Sequence, residues 1–418
     1  MEMNTLEYVH KLTDEIVRLR RQIHQNPELS FEEYETSNLV YEHLSNIEGM
    51  QVEKGVGIET DVVGTLSRGK GPTVAIRADM DALPIFETTN HSFPSNNQGV
   101  MHACGHDAHT AIALSVASIL GDIWKTTDIE GTVKFIFQPA EENTDAFGKT
   151  GSPYLIEAGA LKDVDSIIAL HMDPEHEVGT IRIHDGYSMA NVDVFKAKIL
   201  GTGGHGAYPH LGTDPIWMLG PVMQSLHGIV SRSISPLDAA VISIGEIKAG
   251  SASNIIPNEV FLQGTLRSYT PEVRIELEQR LEKAFSIVEA FGGSYELEVT
   301  HGEPALYNDP LVNSALKDVV SNLYPTMNIL DIPFGLGGED FSHMTKTVPG
   351  SMVFLGCSIP DGVKRDLHTP IFDIDERCLP IGVAILTQTL LNYLLGIAQL
   401  PQSFLNNENE AVQLEGGR

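Results

Sequence analysis

"TVAIRADMDALP", residues 73–84, is the stretch on which the fold turns. A short, almost wholly apolar run ends on two carboxylates, Asp79 and Asp81. Apolar runs of that length, bounded by turn residues, fit strands buried on both faces. The arrangement recurs along the chain. "TVKFIF" (132–137) leads into "QPAEEN" with Glu141 and Glu142, and "SIIAL" (166–170) runs into His171. "SMVFLG" (351–356) reads as another buried strand, and an almost continuously apolar helix spans about Ala108 to Trp124. Short apolar strands alternating with helices predict an α/β fold, a mostly parallel sheet with helices on both faces. The carboxyl ends of such strands share one edge, where ligands bind. Acidic and histidine residues far apart in sequence are therefore expected to meet there.

Other parts of the chain read differently. The opening 45 residues form amphipathic helices broken by "HQNPELS". The middle third gives a strand at 191–200, a helix at 213–230, strands at 239–248 and 259–268, a helix from Pro271 to about Ala290, and the strand "SYELEVT" (294–300). Thr270 before Pro271 supplies a hydroxyl N-cap and a first-turn proline. The order βαββαβ is the ferredoxin-like unit. The expected division is residues 1–185 and 302–400 for the α/β domain, 186–301 for an inserted domain, and 401–418 for a polar tail of low expected order.

Composition narrows the function. The chain has 418 residues, 42% apolar and 20% charged, enough for two globular domains. A net charge of −29 argues against nucleic-acid or anionic-membrane partners and suits small-molecule substrates. The charged N-terminal stretch lacks the apolar centre of a signal peptide, and Ala111–Leu120 is about half the length of a membrane span. Cys104, Cys357 and Cys378 have no disulfide-framework spacing, so a cytoplasmic location is expected.

"MHACGHDAHT" (101–110) gathers metal-binding side chains just before a helix. Cys104 and His106 suit a borderline-soft metal such as zinc, or they are a buried thiol beside hydrogen-bonded histidines. Glu141 and Glu142 point in different directions, so one can bind a metal while the other acts as general base; the alternative is a solvated acidic turn. His171 reads equally as a satisfied core histidine, and His368 lies in the proline-containing loop "LHTPIFDIDE". Asp79 and Asp81 read as ligands, as partners that orient a ligand histidine, or as loop caps. "GTGGHGAYPH" carries His205, "GSASNIIPNEV" carries Asn254, and "GTLRSY" carries Arg267, a natural bidentate partner for a carboxylate. "GLGGEDF" (335–341) holds Glu339 and Asp340.

Together with "HQNPELSFEE", "FQPAEE", "LHMDP" and "GGEDF", these motifs occur in the order of the M20 metallopeptidase family, from about His24 to Leu379. The chain most resembles the amidohydrolase branch, which includes N-acyl-amino-acid, hippurate and indoleacetyl-amino-acid hydrolases. That resemblance implies two divalent metals per subunit held by Cys104, His106, Glu142, His171 and His368, with Cys104 bridging. It also implies Glu141 as general base, His205 as oxyanion donor and Asn254 and Arg267 as substrate contacts. Asp81 is grouped with the catalytic residues. The inserted domain then serves as lid and dimerisation surface, which implies a homodimer or dimer-based oligomer. Cysteine among the ligands favours zinc, with manganese, cobalt or nickel as alternatives. Gly206, Tyr208 and the acidic "HMDPEHE" depart from the usual pattern and bear on which acyl group fits. The expected activity is amide hydrolysis of N-acyl amino acids or related small amides. The rivals are a peptidase or carboxypeptidase on the same scaffold and a non-catalytic metal- or ligand-binding relative.

Overall fold

The computed structural model describes residues 4–402, so nearly all of the expected polar tail lies outside the described residues. The chain divides into two compact units, Met1–Gly186 with Tyr307–Pro333 and Asp340–Arg418, and Tyr187–Leu306 with Phe334–Glu339. Each has its own apolar core.

The first unit opens with helices α1 (Thr5–His24) and α2 (Tyr34–Ser45) and strands β1 (Met50–Lys54), β2 (Val62–Arg68) and β3 (Thr73–Asp79). Then follow α3 (His106–Thr126), β4 (Gly131–Gln138), α4 (Gly151–Glu157), β5 (Ser166–Glu177), β6 (Thr180–Arg182) and, at the first connection, β7 (Gly186–Met189). The second unit contains β8 (Asn191–Leu200), β9 (Gly204–His205), α5 (Pro215–Ser233), β10 (Ala240–Ala249), β11 (Ile255–Ile256), β12 (Glu259–Ser268), α6 (Pro271–Ser286) and β13 (Ser294–His301). After β14 (Leu306–Asn308) the chain returns through α7 (Pro310–Leu323), β15 (Asn328–Leu330), α8 (Phe341–Thr347), β16 (Gly350–Ser358) and α9 (Cys378–Leu394).

In the first unit eight strands form one sheet in the order β1-β2-β4-β3-β5-β16-β6-β15. Its centre, β4-β3-β5-β16, is parallel, while β1, β2 and β6 add antiparallel pairs at the flanks. Alternation along β3 sorts the two faces. Val74, Ile76 and Ala78 enter the core shared with α3 and α9. Arg77 points the other way and meets Asp340, the residue that starts α8. Helices thus cover both faces, as such a sheet requires. Burial explains why α3 is apolar all round: 17 of its 21 residues are buried.

The second unit is an antiparallel sheet ordered β10-β12-β8-β13, with α5 and α6 packed against it. Taken in chain order this is the ferredoxin-like βαββαβ topology. Its helix starts were legible in the sequence. The Asp214 side chain caps α5 ahead of Pro215, and Thr270 caps α6 ahead of Pro271.

Three expectations need correction. The inserted unit is not 186–301. Residues 302–306 and 334–339 belong to it, because Gly302 and Glu303 exchange backbone hydrogen bonds with Val192 and the Ala190 N–H donates to Gly337. His171 does not end its strand: β5 continues to Glu177 because β16 keeps pairing alongside it, with Phe354 opposite His171. Helix α6 stops at Ser286, and a 3-10 turn covers Ile287–Phe291. Among the described residues no helix is long and apolar enough to cross a membrane.

Candidate metal centre

At the carboxyl edge of the sheet, β3 ends on Asp79, β4 leads into Glu141 and Glu142, β5 carries His171, the turn before α3 carries Cys104, and α3 begins at His106. Gly105, between those last two, has φ +92°, and a Cβ there would press on the Met172 side chain. Only glycine lets the turn enter the helix this close to β5. His368 arrives from a distant loop, whose backbone N–H donates to the Ala103 carbonyl at 2.8 Å.

The donor atoms converge. Cys104, His106 and His171 each present one within 4.8 Å of the others, as do Cys104, Glu142 and His368, and His106, Glu141 and Glu142. Cys104 Sγ lies 3.5 Å from His171 Nε2, and His368 Nε2 lies 3.1 Å from Glu142 Oε1. Cys104, His106 and Glu142 each belong to two of these groups.

Two histidines are oriented for ligation by their other nitrogen. His106 Nδ1 donates to the Asp81 carbonyl (2.9 Å) and His171 Nδ1 donates to the Met172 carbonyl (2.8 Å). Each bond fixes the tautomer that leaves a lone pair on Nε2. His106 Nε2 is buried without a hydrogen-bond partner; its nearest carboxylate oxygens, on Asp79 and Glu142, stand 3.7 and 3.8 Å away. An orphaned buried nitrogen facing carboxylates and a thiol is a fit for a divalent cation.

Charge balance says the same. Burial, then the Glu142, Glu141 and Asp79 charges, push the Cys104 thiol well up. Burial alone would lower His106, but Asp79, Asp81 and Glu142 outweigh it and carry its pKa up to about 10. Carboxylates that hold a proton on His106 this tightly would also hold a metal in its place.

For Asp81 the geometry fits the orienting reading, whereas the Asp79 oxygen nearest His106 lies 3.7 Å from its Nε2, among the candidate ligand atoms. Asp81 Oδ1 lies 3.3 Å from His106 Nδ1, and Asp81 Oδ2 accepts the Glu142 N–H (3.0 Å) and the Ser30 hydroxyl (2.7 Å). Asp79 accepts from His109 Nδ1 (2.6 Å) and Arg77 (2.6 Å). His109 Nε2 in turn accepts the Met172 N–H (2.9 Å), which occupies both ring nitrogens and keeps it from ligating.

Sequence reasoning passed over Glu33, the last residue of "HQNPELSFEE". Its Oε1 accepts the N–H groups of Phe31 (3.0 Å) and Ala140 (2.8 Å), two non-glycine residues with φ of 69° and 52°. Glu33 thereby holds the strained turn that aims Glu141 and Glu142. Burial and the Asp81 charge raise Glu33 to about 8. The folded state then binds a proton that the unfolded chain has already lost. Stability is full below the ordinary glutamate pKa and falls as pH rises through about 8. At about 1.4 kcal/mol per tenfold change in proton affinity, the loss is a few kcal/mol. Glu33→Gln is expected to flatten the fall in Tm of the metal-free protein between pH 5 and 9. Parallel Tm–pH curves for variant and parent would reject the assignment.

His205, Asn254 and Arg267 all lie in the second unit. The β9–β11 pairing, His205 opposite Ile255, brings the first two together, and the Gly206 N–H donates to the Asn254 carbonyl (2.9 Å). His205 Nδ1 accepts the Ala207 N–H (3.0 Å). Arg267, half-buried on β12, donates to the Leu336 carbonyl (2.9 Å).

The sequence profile of peptidase family M20/M25/M40 matches residues 75–392. Thermostable carboxypeptidase 2 of Saccharolobus solfataricus is 39% identical over 90% of the chain and 94% of its own length. N-acetyl-L-cysteine deacetylase of Bacillus subtilis is 36% identical over 88% and 85%. The crystal structure of the Bacillus subtilis YXEP protein, described as a dinuclear metal-binding peptidase of the M20 family, superposes with a TM-score of 0.80 at 32% identity, covering 92% of this chain and 99% of that one. From fold, ligand convergence and similarity together, the chain belongs to peptidase family M20/M25/M40.

Proposed function

We propose that this hydrolase cleaves the amide bond of N-acyl amino acids or closely related small amides. The observation that carries the reading is the convergence of Cys104, His106, Glu142, His171 and His368 on one edge, with the Glu141 carboxylate beside them. Those five residues would hold two divalent cations, with zinc favoured by the thiol and two imidazoles. Such cations, when bound, polarise the scissile carbonyl and acidify a water.

The chain's own groups do the rest. Glu141 takes the proton of the attacking water on its carboxylate and delivers it to the departing amine nitrogen. Asp81 keeps His106 and Glu142 in place. His205 donates a hydrogen bond to the developing oxyanion, and Arg267 and Asn254 bind the substrate carboxylate. A carboxylate anchor acts equally in ground and transition states, so Arg267→Ala should raise KM with little change in kcat. An oxyanion donor acts in the transition state, so His205→Ala should lower kcat with KM nearly constant. Steady-state kinetics of the two variants checks both, and the reverse pattern would exchange the roles.

The deacetylase relative supports an acyl-amino-acid substrate and the carboxypeptidase relative supports a peptide. Assaying the metal-reconstituted protein on N-acetyl and N-benzoyl amino acids against dipeptides separates them. Hydrolysis of dipeptides alone would overturn the amidohydrolase reading. We infer a homodimer as the working assembly and the second unit as its lid and dimerisation surface. Activity recovered on mixing His205→Ala with Glu141→Gln would support a site completed in trans. Three cysteines without disulfides and an acidic surface support a cytoplasmic setting.

A further inference from the structure

A second group of metal-type donors in the first unit shares no residue with the ligand set above. His24 ends α1, and Glu87 and His91 sit on the loop after β3. His24 Nε2 is 3.3 Å and His91 Nε2 is 3.0 Å from the same oxygen, Glu87 Oε1, and the three atoms all lie within 4.8 Å of one another. In a tetrahedral zinc site with bonds near 2.0–2.1 Å, neighbouring donor atoms stand roughly 3.3 Å apart. The first two separations are close to that edge.

Glu87 Oε1 accepts the Thr89 hydroxyl, and His91 Nε2 lies 3.0 Å from both that hydroxyl and Glu87 Oε1. His24 meets carboxylate at both nitrogens, since its Nδ1 lies 2.8 Å from Asp107 Oδ2. A cation in place of the Nε2 protons leaves His24 donating to Asp107 through Nδ1. A ligand imidazole backed by a carboxylate is the usual support for a bound metal. Glu87 is braced too, its Oε2 accepting the Ser95 N–H at 2.6 Å. The three side chains are between 0% and 11% exposed, so these are not loose surface carboxylates. His91 also lines a surface cleft of about 410 Å³, together with the paired charges Arg20, Asp373, Asp375, Glu376 and Arg377.

We propose that His24, Glu87 and His91 form an auxiliary site for a zinc-type divalent cation, distinct from the Cys104 centre. Its structural consequence is local. The loop that carries Glu87 and His91 is tied to α1 through the ion. It is also tied to the His368 loop through the Thr88 N–H, which donates to the Pro370 carbonyl at 2.8 Å.

The test uses the full chain and zinc ions alone. Crystals grown or soaked in zinc are measured at the zinc absorption edge. An anomalous peak bounded by His24 Nε2, Glu87 Oε1 and His91 Nε2 is the expected result. No peak there, whatever is found at the Cys104 centre, overturns the proposal. Metal content after removal of loose ions gives a second reading. His91→Ala, at a position partly open to solvent, should bind one zinc fewer per chain than the parent while its Cys104 centre keeps its metal. Equal zinc content in the two proteins would also overturn the site. Because neither readout is turnover, failure here is separate from failure of the amidohydrolase reading.

Discussion

Glu141→Gln is expected to keep its metal and lose about 10²–10⁴-fold in kcat, the span that a positioned general base supplies. Glu142→Gln is expected to bind metal more weakly and to lose activity through that loss. The two carboxylates are neighbours in sequence but not in environment. Glu142 faces His368 at 3.1 Å, and its backbone N–H is held by Asp81. Both carboxylates group with His106, while Glu142 also groups with Cys104 and His368. Amide replaces carboxylate with almost no change in volume, so neither substitution disturbs packing. Metal content by elemental analysis and kcat at saturating metal separate the roles. Equal metal loss in both variants would refute the division of labour, and Glu141→Gln with near-parental kcat would remove Glu141 from the chemistry.

Arg77→Met is expected to destabilise the fold by about 3–5 kcal/mol, the range for removing one partner from a buried ion pair. Arg77 is almost fully buried and reaches Asp79 (2.6 Å), Gln138 (2.9 Å) and Asp340 (2.8 Å). Gln138 Nε2 and the Ser152 N–H also donate to Asp340. The guanidinium thus joins three stretches of chain beneath the metal centre, and methionine fills its stem while leaving two carboxylates without their cation. Urea unfolding of the metal-free proteins gives the difference. Adding Asp340→Asn to Arg77→Met should recover part of the loss, because one of the stranded charges is gone. A loss below about 1 kcal/mol in the single variant would mean that the network is solvated or replaced.

The outline of the fold was readable because burial writes itself into local pattern. Strands covered on both faces are continuous apolar runs, and β3, β4, β5 and β16 all carry that mark. Proline after a capping side chain marked the starts of α5 and α6. The edge strands were less legible, since β1 and β15 are short and only partly buried. Strand order has no local signature at all. Neither does the assignment of 334–339 to the inserted unit, which rests on backbone hydrogen bonds to residues far away in sequence.

The same boundary runs through the site. Residue type alone marked Cys104, His106, Glu141, Glu142, His171 and His368 as candidates, and family resemblance ordered them into roles. Which nitrogen of His106 and of His171 faces the other donor atoms came only from the tertiary structure, because backbone carbonyls of Asp81 and Met172 engage Nδ1 in each. His109 looks like a ligand in sequence and is excluded only by the Met172 N–H on its second nitrogen. Glu33 and Arg77 act by holding other groups, Ala140 in one case and Asp79 with Asp340 in the other. By itself, then, the sequence determined the two-unit α/β plan and the inventory of chemical groups, because helix and strand periodicities and donor types are properties of neighbouring residues. The tertiary structure decided orientation, tautomer and support. Those depend on hydrogen bonds closed across long stretches of chain in a site from which water is largely excluded, and no local pattern records them.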